Sequence, residues 1–219
     1  MKQNHEINGN TLNELAAFFQ ETERMKTQRR VAWLSDGTKE SVAEHSWRLA
    51  LMAMCLAPME PGLDVCRVIK LSLVHDLGEA DEGDVSAAEE EDRERKLERE
   101  KCCLLRLTKE LPEQTAEEIL ALWQEYCGGN TAESRFVRGL DKLETIFQHN
   151  QGQNPPGFDY DFNLIYGRKW TQEDPILSGL RALADTDTQR RWDAENEFRQ
   201  AQDPAGNTEE RGRDGGRKV

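Results

Sequence analysis

The sequence lacks the long apolar segments and the paired cysteines that mark membrane and secreted proteins. No run of about 18 apolar residues occurs, the length that a membrane-spanning helix needs, and the N-terminus MKQNHEINGN has no apolar core of a signal peptide. The five cysteines are odd in number and have no CxxC spacing, so neither a disulfide framework nor a zinc ribbon is indicated. We therefore expect reduced thiols packed as small apolar residues, a cytoplasmic location and no membrane association.

Positive charge is also scarce, because 29 Lys and Arg residues face 42 Asp and Glu residues and the formal net charge is −13. Contacts from Lys and Arg to phosphates dominate the affinity for duplex nucleic acid, so we expect no nucleic-acid partner. A small anionic substrate needs only a local group of cations, and residues 24–39 contain one with a single acid, Asp36. Its cations are Arg24, Lys26, Arg29, Arg30 and Lys39.

Helical periodicity covers most of the chain, and we find neither an alternating strand pattern nor an internal repeat. We predict an all-α fold, a single bundle of about seven to eight helices over residues 11–200, after a flexible N-terminus (1–10) and before a disordered C-terminal tail (201–219). Residues 151–170 are expected to be irregular. The predicted helices are 11–23, 41–57, 64–77, 86–111, 112–126, 131–150 and two between 174 and 200.

Helix boundaries indicate where two histidines lie. Ser41 and Glu44 fit a capping box, which starts a helix with His45 in its first turn. His75 comes near the end of the next helix, which we expect Gly78 to close, because glycine is favoured just past a helix end.

Four polar residues fall on helices that are otherwise apolar: His45, His75, Asp76 and Asp141. Burying such groups without partners costs several kcal/mol each. One divalent metal ion would satisfy all four, and two imidazoles with two carboxylates suit Mn, Fe, Co, Ni or Zn better than Ca. A His-Asp dipeptide alone is weak support, but the ordered set is considerably stronger.

The small number of histidines limits the metal count. The chain has four, of which His5 lies in the predicted flexible terminus. His149 is eight residues after Asp141, about 12 Å along a helix. We therefore predict a single ion, one of Mn, Co, Fe, Ni, Mg or Zn.

The order H…HD…D in a helical domain of this length resembles the HD superfamily of metal-dependent phosphohydrolases, and most closely its 5′-deoxynucleotidase-like branch. The resemblance covers about residues 11–185. It is carried by RRVAW (29–33), ESVAEHSWRLALMAM (40–54), LVHDLGEADEGD (73–84), LWQEY (122–126) and LDKLE (140–144).

The resemblance implies roles for the residues that match the family's motifs. The four polar residues above would be the metal ligands. Glu79 and Asp84 would match the acids after HD that serve catalysis and substrate handling, and Arg30 would match a phosphate-binding arginine. In some bacterial members a tryptophan that touches the sugar follows this arginine directly, whereas here Val31 follows and the tryptophan is Trp33. Trp33 is either a substrate contact or a core aromatic.

The resemblance also implies a function: hydrolysis of (deoxy)nucleoside 5′-monophosphates to nucleoside and phosphate, in a homodimer or higher homo-oligomer. A nucleoside triphosphohydrolase is the alternative within the same class. A non-catalytic domain, in which the metal clamps the helices and a surface binds a protein partner, is the alternative of another class. The aromatic segment 157–170 could stack a base, although a hydrophobic lid or a dimer contact is the stronger expectation.

Overall fold

The computed structural model describes residues 9–81 and 93–202. Within these residues the chain forms α-helices and one two-stranded antiparallel sheet. The helices are α1 (Gly9–Glu21), α2 (Arg24–Thr27), α3 (Val42–Leu56), α4 (Val65–Val74), α5 (Arg93–Thr108), α6 (Glu113–Gly128), α7 (Ala132–Gln151), α8 (Tyr160–Ile165), α9 (Arg168–Thr171) and α10 (Pro175–Gln202). The strands are β1 (Arg29–Trp33) and β2 (Lys39–Ser41).

The all-α prediction is confirmed, since eight helices in the described part of the chain are longer than one turn. α7 lies at the centre and is buried along most of its length. Its apolar residues Val137, Leu140 and Leu143 pack in one core with Leu49 of α3 and Leu71 of α4. The helices that carry the predicted ligands thus share one core. No helix in the described ranges combines the length and apolar character needed to cross a membrane.

The expectation that no strand occurs is wrong for β1 and β2. Residues 29–33 do alternate between exposed and buried positions, but one of the two inward positions is Arg30 and the other is Ala32. A buried arginine conceals the period-2 hydrophobic pattern by which strands are identified. Arg30 occupies an inward position because it finds charged partners inside the protein, which a sequence pattern does not show.

The end of α4 also differs from the prediction. The α-helix stops at Val74, and a 3-10 helix, Leu77–Ala80, follows. Gly78 lies inside that 3-10 helix instead of capping α4. A Cβ at this position would approach the Cβ and carbonyl oxygen of Glu100 to 2.8 Å. Gly78 is therefore required for the close approach of α5.

The C-terminal part of the fold is more regular than predicted. One helix, α10, replaces the two expected between 174 and 200, because no proline or glycine interrupts residues 180–202. The segment 151–170, expected to be irregular, contains α8 and the start of α9. Of the predicted helix 86–111, residues 86–92 lie outside the described residues.

The cysteines only partly follow the expectation of buried thiols. Cys103 is buried and Cys127 is half-buried, but the other three, Cys55, Cys66 and Cys102, are exposed. All five are free thiols.

Candidate active site

His45 is fixed at the start of α3 by the capping box. Ser41 Oγ accepts a hydrogen bond from the Glu44 backbone N–H at 3.2 Å, and Glu44 Oε2 accepts one from the Ser41 N–H at 2.7 Å. His45 is fully buried, and its Nδ1–H donates to Glu144 Oε2 of α7. The local capping signal therefore sets the position of the ring, and Glu144 sets its orientation.

His75 and Asp76 lie at the C-terminal end of α4, where the backbone leaves the helix. His75 is the C-cap, and its Nδ1–H donates to the carbonyl oxygen of Ser72 at 2.9 Å. Asp76 leaves the helix with φ −103° and ψ 10°, the sparsely populated bridge region. This turn brings Asp76 Oδ2 to 3.0 Å from His75 Nε2. The side chains of these two consecutive residues are therefore directed to the same place.

The structure brings the four predicted ligands together. His45 Nε2 lies 3.2 Å from His75 Nε2, 3.3 Å from Asp141 Oδ1 and 3.6 Å from Asp76 Oδ2. Around an ion with bonds of about 2.1 Å, neighbouring donors lie about 3.0 Å apart in an octahedron and about 3.4 Å apart in a tetrahedron. The donor atoms of His45, His75 and Asp76 all lie within 4.8 Å of one another and fit one divalent ion, whereas Asp141 is placed near them by its distance to His45.

The tautomers of the two histidines support the same interpretation. A carbonyl oxygen and a carboxylate can only accept, so Nδ1 carries the proton in both His45 and His75. In the neutral rings, the lone pairs are then on the two Nε2 atoms, which face each other. Two such lone pairs repel unless a proton or a metal ion lies between them, so the pair is suited to binding a cation.

The electrostatics of the site favour positive charge at its centre. Burial and the charge of Arg30 oppose protonation of His45, yet the carboxylates of Glu144 and Asp141 outweigh both and raise its pKa to about 10. Burial works against ionisation of Asp76 and Asp141 as well, but the cations around them hold the pKa of each below its usual range. Both aspartates are therefore ionised at neutral pH and able to bind a metal.

A buried network of charged residues contacts the predicted ligands. Glu144 accepts from Arg48 Nε at 2.7 Å as well as from His45. Glu40 Oε2 lies 3.2 Å from Arg30 Nε, and burial together with repulsion from Glu144 raises the pKa of Glu40 to about 7. These pairs hold Arg30 and Glu144 in fixed positions beside the ligands.

A cavity of about 400 Å³ opens next to the four-residue cluster. This volume is within the range of small-molecule sites. His75, Asp76 and Asp141 line it, whereas His45 lies behind them. The cations of the lining are Arg30, Lys96, Arg138 and Lys142. The lining also contains five carboxylates, Asp76, Glu79, Glu100, Asp141 and Asp159. The four cations offer partners for an anionic ligand, and a bound divalent ion would add positive charge to the same cavity.

Glu79, predicted to be catalytic, lies in the lining of this cavity. It is buried, and its Oε1 is 3.3 Å from Lys96 Nζ of α5. Lys96 is also 3.5 Å from Glu100, whose pKa is raised by burial. Asp84, the other predicted catalytic acid, lies outside the described residues.

The two predicted substrate-binding residues have different positions. Arg30 lines the cavity, with Nη1 3.4 Å from Asp76 Oδ2 and Nη2 donating to Thr145 Oγ1 at 3.1 Å. Trp33 is not part of the lining. Its ring is instead edge-on to Phe158, which does line the cavity, at 6.3 Å between centroids. Substrate contact by Trp33 stays a prediction.

The structure adds site residues to which sequence reasoning had given no role. Lys142 Nζ lies 2.8 Å from Asp141 Oδ2, and Tyr126 O–H donates to the same oxygen at 2.7 Å. The signal for Glu144 was present in LDKLE, because a residue three positions after Asp141 lies on the same face of a helix. The next residue, Lys142, points about 100° away, so its contact with Asp141 was not evident from spacing. In LWQEY the acidic residue Glu125 is the apparent candidate for a site residue, but it pairs with Arg67. Tyr126 is the residue of this segment that contacts Asp141.

Comparison with known proteins gives concordant matches. A family model described as HD domain matches residues 22–180. A 5′-deoxynucleotidase from Dictyostelium discoideum is 35% identical over 147 residues, 64% of this chain and 77% of that relative. One from Bos taurus is 34% identical over 161 residues, 71% of this chain and 78% of the relative.

Among solved structures, a protein from Magnetospirillum magnetotacticum, described as a predicted metal-dependent phosphohydrolase, is 33% identical with a TM-score of 0.69. The match covers 84% of this chain and 95% of that one. The segment matched by the family model includes every described residue of the site, from Arg30 to Glu144.

Proposed function

This chain belongs to the HD-domain family, and on that premise we propose that it is a metal-dependent phosphohydrolase that releases phosphate from nucleoside 5′-monophosphates, including deoxynucleotides. The observation that carries the proposal is the cluster of His45, His75 and Asp76, with Asp141 beside His45, next to a cavity whose lining includes four cations. The relatives named 5′-deoxynucleotidases support the substrate class.

We propose that these four residues hold one divalent ion. When bound, such an ion lowers the pKa of water and polarises the phosphoryl oxygens. The chain itself supplies the orientation of the ligands, because Glu144 and Ser72 fix the two imidazoles through Nδ1. Asp76 and Asp141 contribute two negative charges, which reduce the net charge of the loaded site.

Cations of the cavity would bind the phosphate of the substrate. Arg30 is placed beside Asp76 by Glu40 and Thr145, and a guanidinium can grip a phosphate through two N–H groups. Lys142, beside Asp141, and Lys96, beside Glu79, add two further ammonium groups within the same lining. Because each of the three is paired with a carboxylate, the bound divalent ion would have to supply part of the positive charge that a phosphate dianion needs.

Glu79 is the proposed proton-transfer group. It is buried, lies in the cavity lining and follows the ligand Asp76 by three residues, across the 3-10 turn. A carboxyl group there can orient the attacking water or protonate the leaving oxygen. Lys96 of α5 forms an ion pair with Glu79 Oε1. Asp84, Trp33, a homo-oligomeric state and a cytoplasmic location stay predictions from the sequence.

The test is release of inorganic phosphate from a panel of nucleoside 5′-mono- and triphosphates, with Mn, Co or Mg added. We expect orthophosphate and nucleoside from monophosphates, and Asp76→Asn should abolish the release. Asp187→Asn is the control, because Asp187 pairs with Arg190 on α10 and has no contact with the cavity. Equal behaviour of wild type and Asp76→Asn on every substrate would refute the proposal, and pyrophosphate or triphosphate as product would identify the triphosphohydrolase alternative.

A further inference from the structure

Four aromatic residues form one side of the cavity. Phe158, Phe162, Tyr166 and Trp170 follow one another at intervals of four residues, and all four line the same cavity. We call them the aromatic wall. Each is only half-buried, so part of each side chain stays accessible next to the cavity. Core packing therefore does not use the whole of these side chains.

The first ring of the aromatic wall is held in position by its neighbours. Phe158 makes edge contacts with Trp33, His149 and Tyr160, at 6.3, 4.8 and 4.9 Å between centroids. Three such contacts from different directions fix its orientation. A residue predicted to touch substrate, Trp33, thus acts on the cavity through Phe158.

The last ring is held just as firmly. The guanidinium of Arg138 lies 4.6 Å from the Trp170 ring and 5.1 Å from the Tyr126 ring. It also donates to the carbonyl oxygens of Tyr126 and Cys127, at 2.7 and 2.9 Å. Because these contacts engage Arg138 with α6, Trp170 has a fixed support, and the wall is arranged before any ligand binds.

One side chain links the aromatic wall to the metal-binding residues. Lys142 Nζ lies 2.8 Å from Asp141 Oδ2 and 5.1 Å from the centre of the Tyr166 ring. A single ammonium group therefore touches both parts of the cavity. A ligand that is anionic at one end and flat and apolar at the other matches this arrangement.

The pair Phe162 and Tyr166 is suited to a planar ligand. Their ring centroids are 5.0 Å apart and their planes differ by 32°, which is closer to offset stacking than to an edge contact. A third flat ring can extend such a stack. Neither inorganic phosphate nor a sugar phosphate offers a ring for this purpose, whereas a nucleotide does, and stacking accepts any base because every base has a π-face.

We propose that the aromatic wall is a nucleobase-binding subsite, in which Phe162 and Tyr166 stack on the base of a nucleotide whose phosphate lies beside Arg30 and Lys142. This inference deepens the proposed function and rests on it for the position of the phosphate. It assigns the segment 157–170 to the substrate, where sequence analysis had favoured a lid or a dimer contact.

The test compares two substrates that differ only in the base. KM is measured for deoxyadenosine 5′-monophosphate and for 2-deoxyribose 5-phosphate with wild type, Phe162→Leu and Tyr166→Leu, because leucine keeps apolar volume but cannot stack. We expect KM for the nucleotide to rise about tenfold, equivalent to about 1.4 kcal/mol, and KM for the sugar phosphate to stay unchanged. Phe19→Leu is the control, since Phe19 is exposed on α1 and absent from the cavity lining.

The same variants are titrated with deoxyadenosine 5′-monophosphate by calorimetry, so that the result does not depend on turnover. One outcome is that wild type binds the nucleotide and the leucine variants bind it about tenfold more weakly, while no substrate is hydrolysed. In that case the proposed function is refuted and the subsite is supported. If hydrolysis occurs but both substrates respond equally to the leucine variants, or neither responds, the subsite is refuted and the proposed function stands. Unchanged nucleotide affinity in both leucine variants also refutes it.

Discussion

The Nε2 atoms of His45 and His75 lie 3.2 Å apart, although 30 residues separate the two positions in the chain. Each ring is turned by its own hydrogen bond at Nδ1, from His45 to Glu144 and from His75 to the Ser72 carbonyl. The orientation of both lone pairs is therefore decided outside the ligand set. The residues that hold the two rings by hydrogen bonds at Nδ1 can therefore be tested as well as the ligands themselves.

Glu144→Gln should weaken metal binding without removing a ligand. The glutamine can still accept from His45 Nδ1, but it loses the negative charge that pairs with Arg48 and makes the imidazole a better ligand. Losses of about 10- to 100-fold are typical when such a partner changes. The dissociation constant for Mn, measured by calorimetry, should rise by at least about tenfold, and Glu117→Gln on the exposed side of α6 should leave it unchanged. An unaltered constant in Glu144→Gln would contradict this role.

Glu79→Gln should separate catalysis from metal binding. The amide cannot transfer a proton, and we expect kcat to fall about 10²- to 10⁴-fold. Glu79 is outside the set of four proposed ligands, so the metal dissociation constant should change little. Steady-state kinetics and calorimetry on the same preparation measure both quantities, with Glu173→Gln, an exposed site after α9, as the control. Loss of the metal together with activity would show that Glu79 is structural.

Gly78→Ala should destabilise the protein by about 1–3 kcal/mol, because the new methyl group overlaps Glu100 of α5. The free energy of unfolding is measured by urea denaturation. Gly179→Ala is a matched control on α10, where a Cβ meets no atom within 4 Å. That change should be neutral or stabilise by up to about 1 kcal/mol, as expected for an exposed helix position. Equal effects of the two substitutions would show that α5 does not approach Gly78 closely.

His149 should make stability depend on pH below neutrality. Burial lowers the pKa of His149, although the hydrogen bond with Asn163 partly opposes this. Below the unfolded value of about 6.5 the unfolded chain then binds more protons than the folded one, so stability falls as pH falls, by up to about 1.4 kcal/mol per pH unit.

The measurement is urea denaturation at pH 7.5 and pH 5.5. His149→Asn keeps a hydrogen-bond donor near Asn163 but does not titrate, so it should lose less stability than wild type between the two pH values. His5→Asn, in the predicted flexible N-terminus, should behave like wild type. If His149→Asn and wild type lose the same free energy, His149 is not the source.

Local signals in the sequence were sufficient for the helices and for the boundaries that matter to the site. The capping box of Ser41 and Glu44 starts α3 as predicted, and it sets His45 in the first turn. Apolar periodicity around Leu140 identified the buried side of α7. These features depend on residues a few positions apart, which is why a sequence reveals them.

Contacts between distant segments explain what was missed. β1 is hidden because Arg30 is buried against Glu40 of β2, Asp76 and Thr145. Tyr126 reaches Asp141 only once α6 packs on α7. Such partners are set by packing, and helical periodicity carries no information about which polar side chains will meet.

The sequence by itself determined the helical class, because helical periodicity is local. It also predicted the four candidate ligands from their residue types on apolar helices, and the acid Glu79 through the resemblance to HD phosphohydrolases. Only the tertiary structure decided that the donor atoms of His75, Asp76 and Asp141 lie beside Nε2 of His45, that Glu144 and Ser72 orient the imidazoles, and that an aromatic wall lies across the same cavity. The physical reason is that the separations of 3.2–3.6 Å between donors on different helices arise from the packing of α3, α4 and α7 against one another. Spacing along the chain cannot specify that packing.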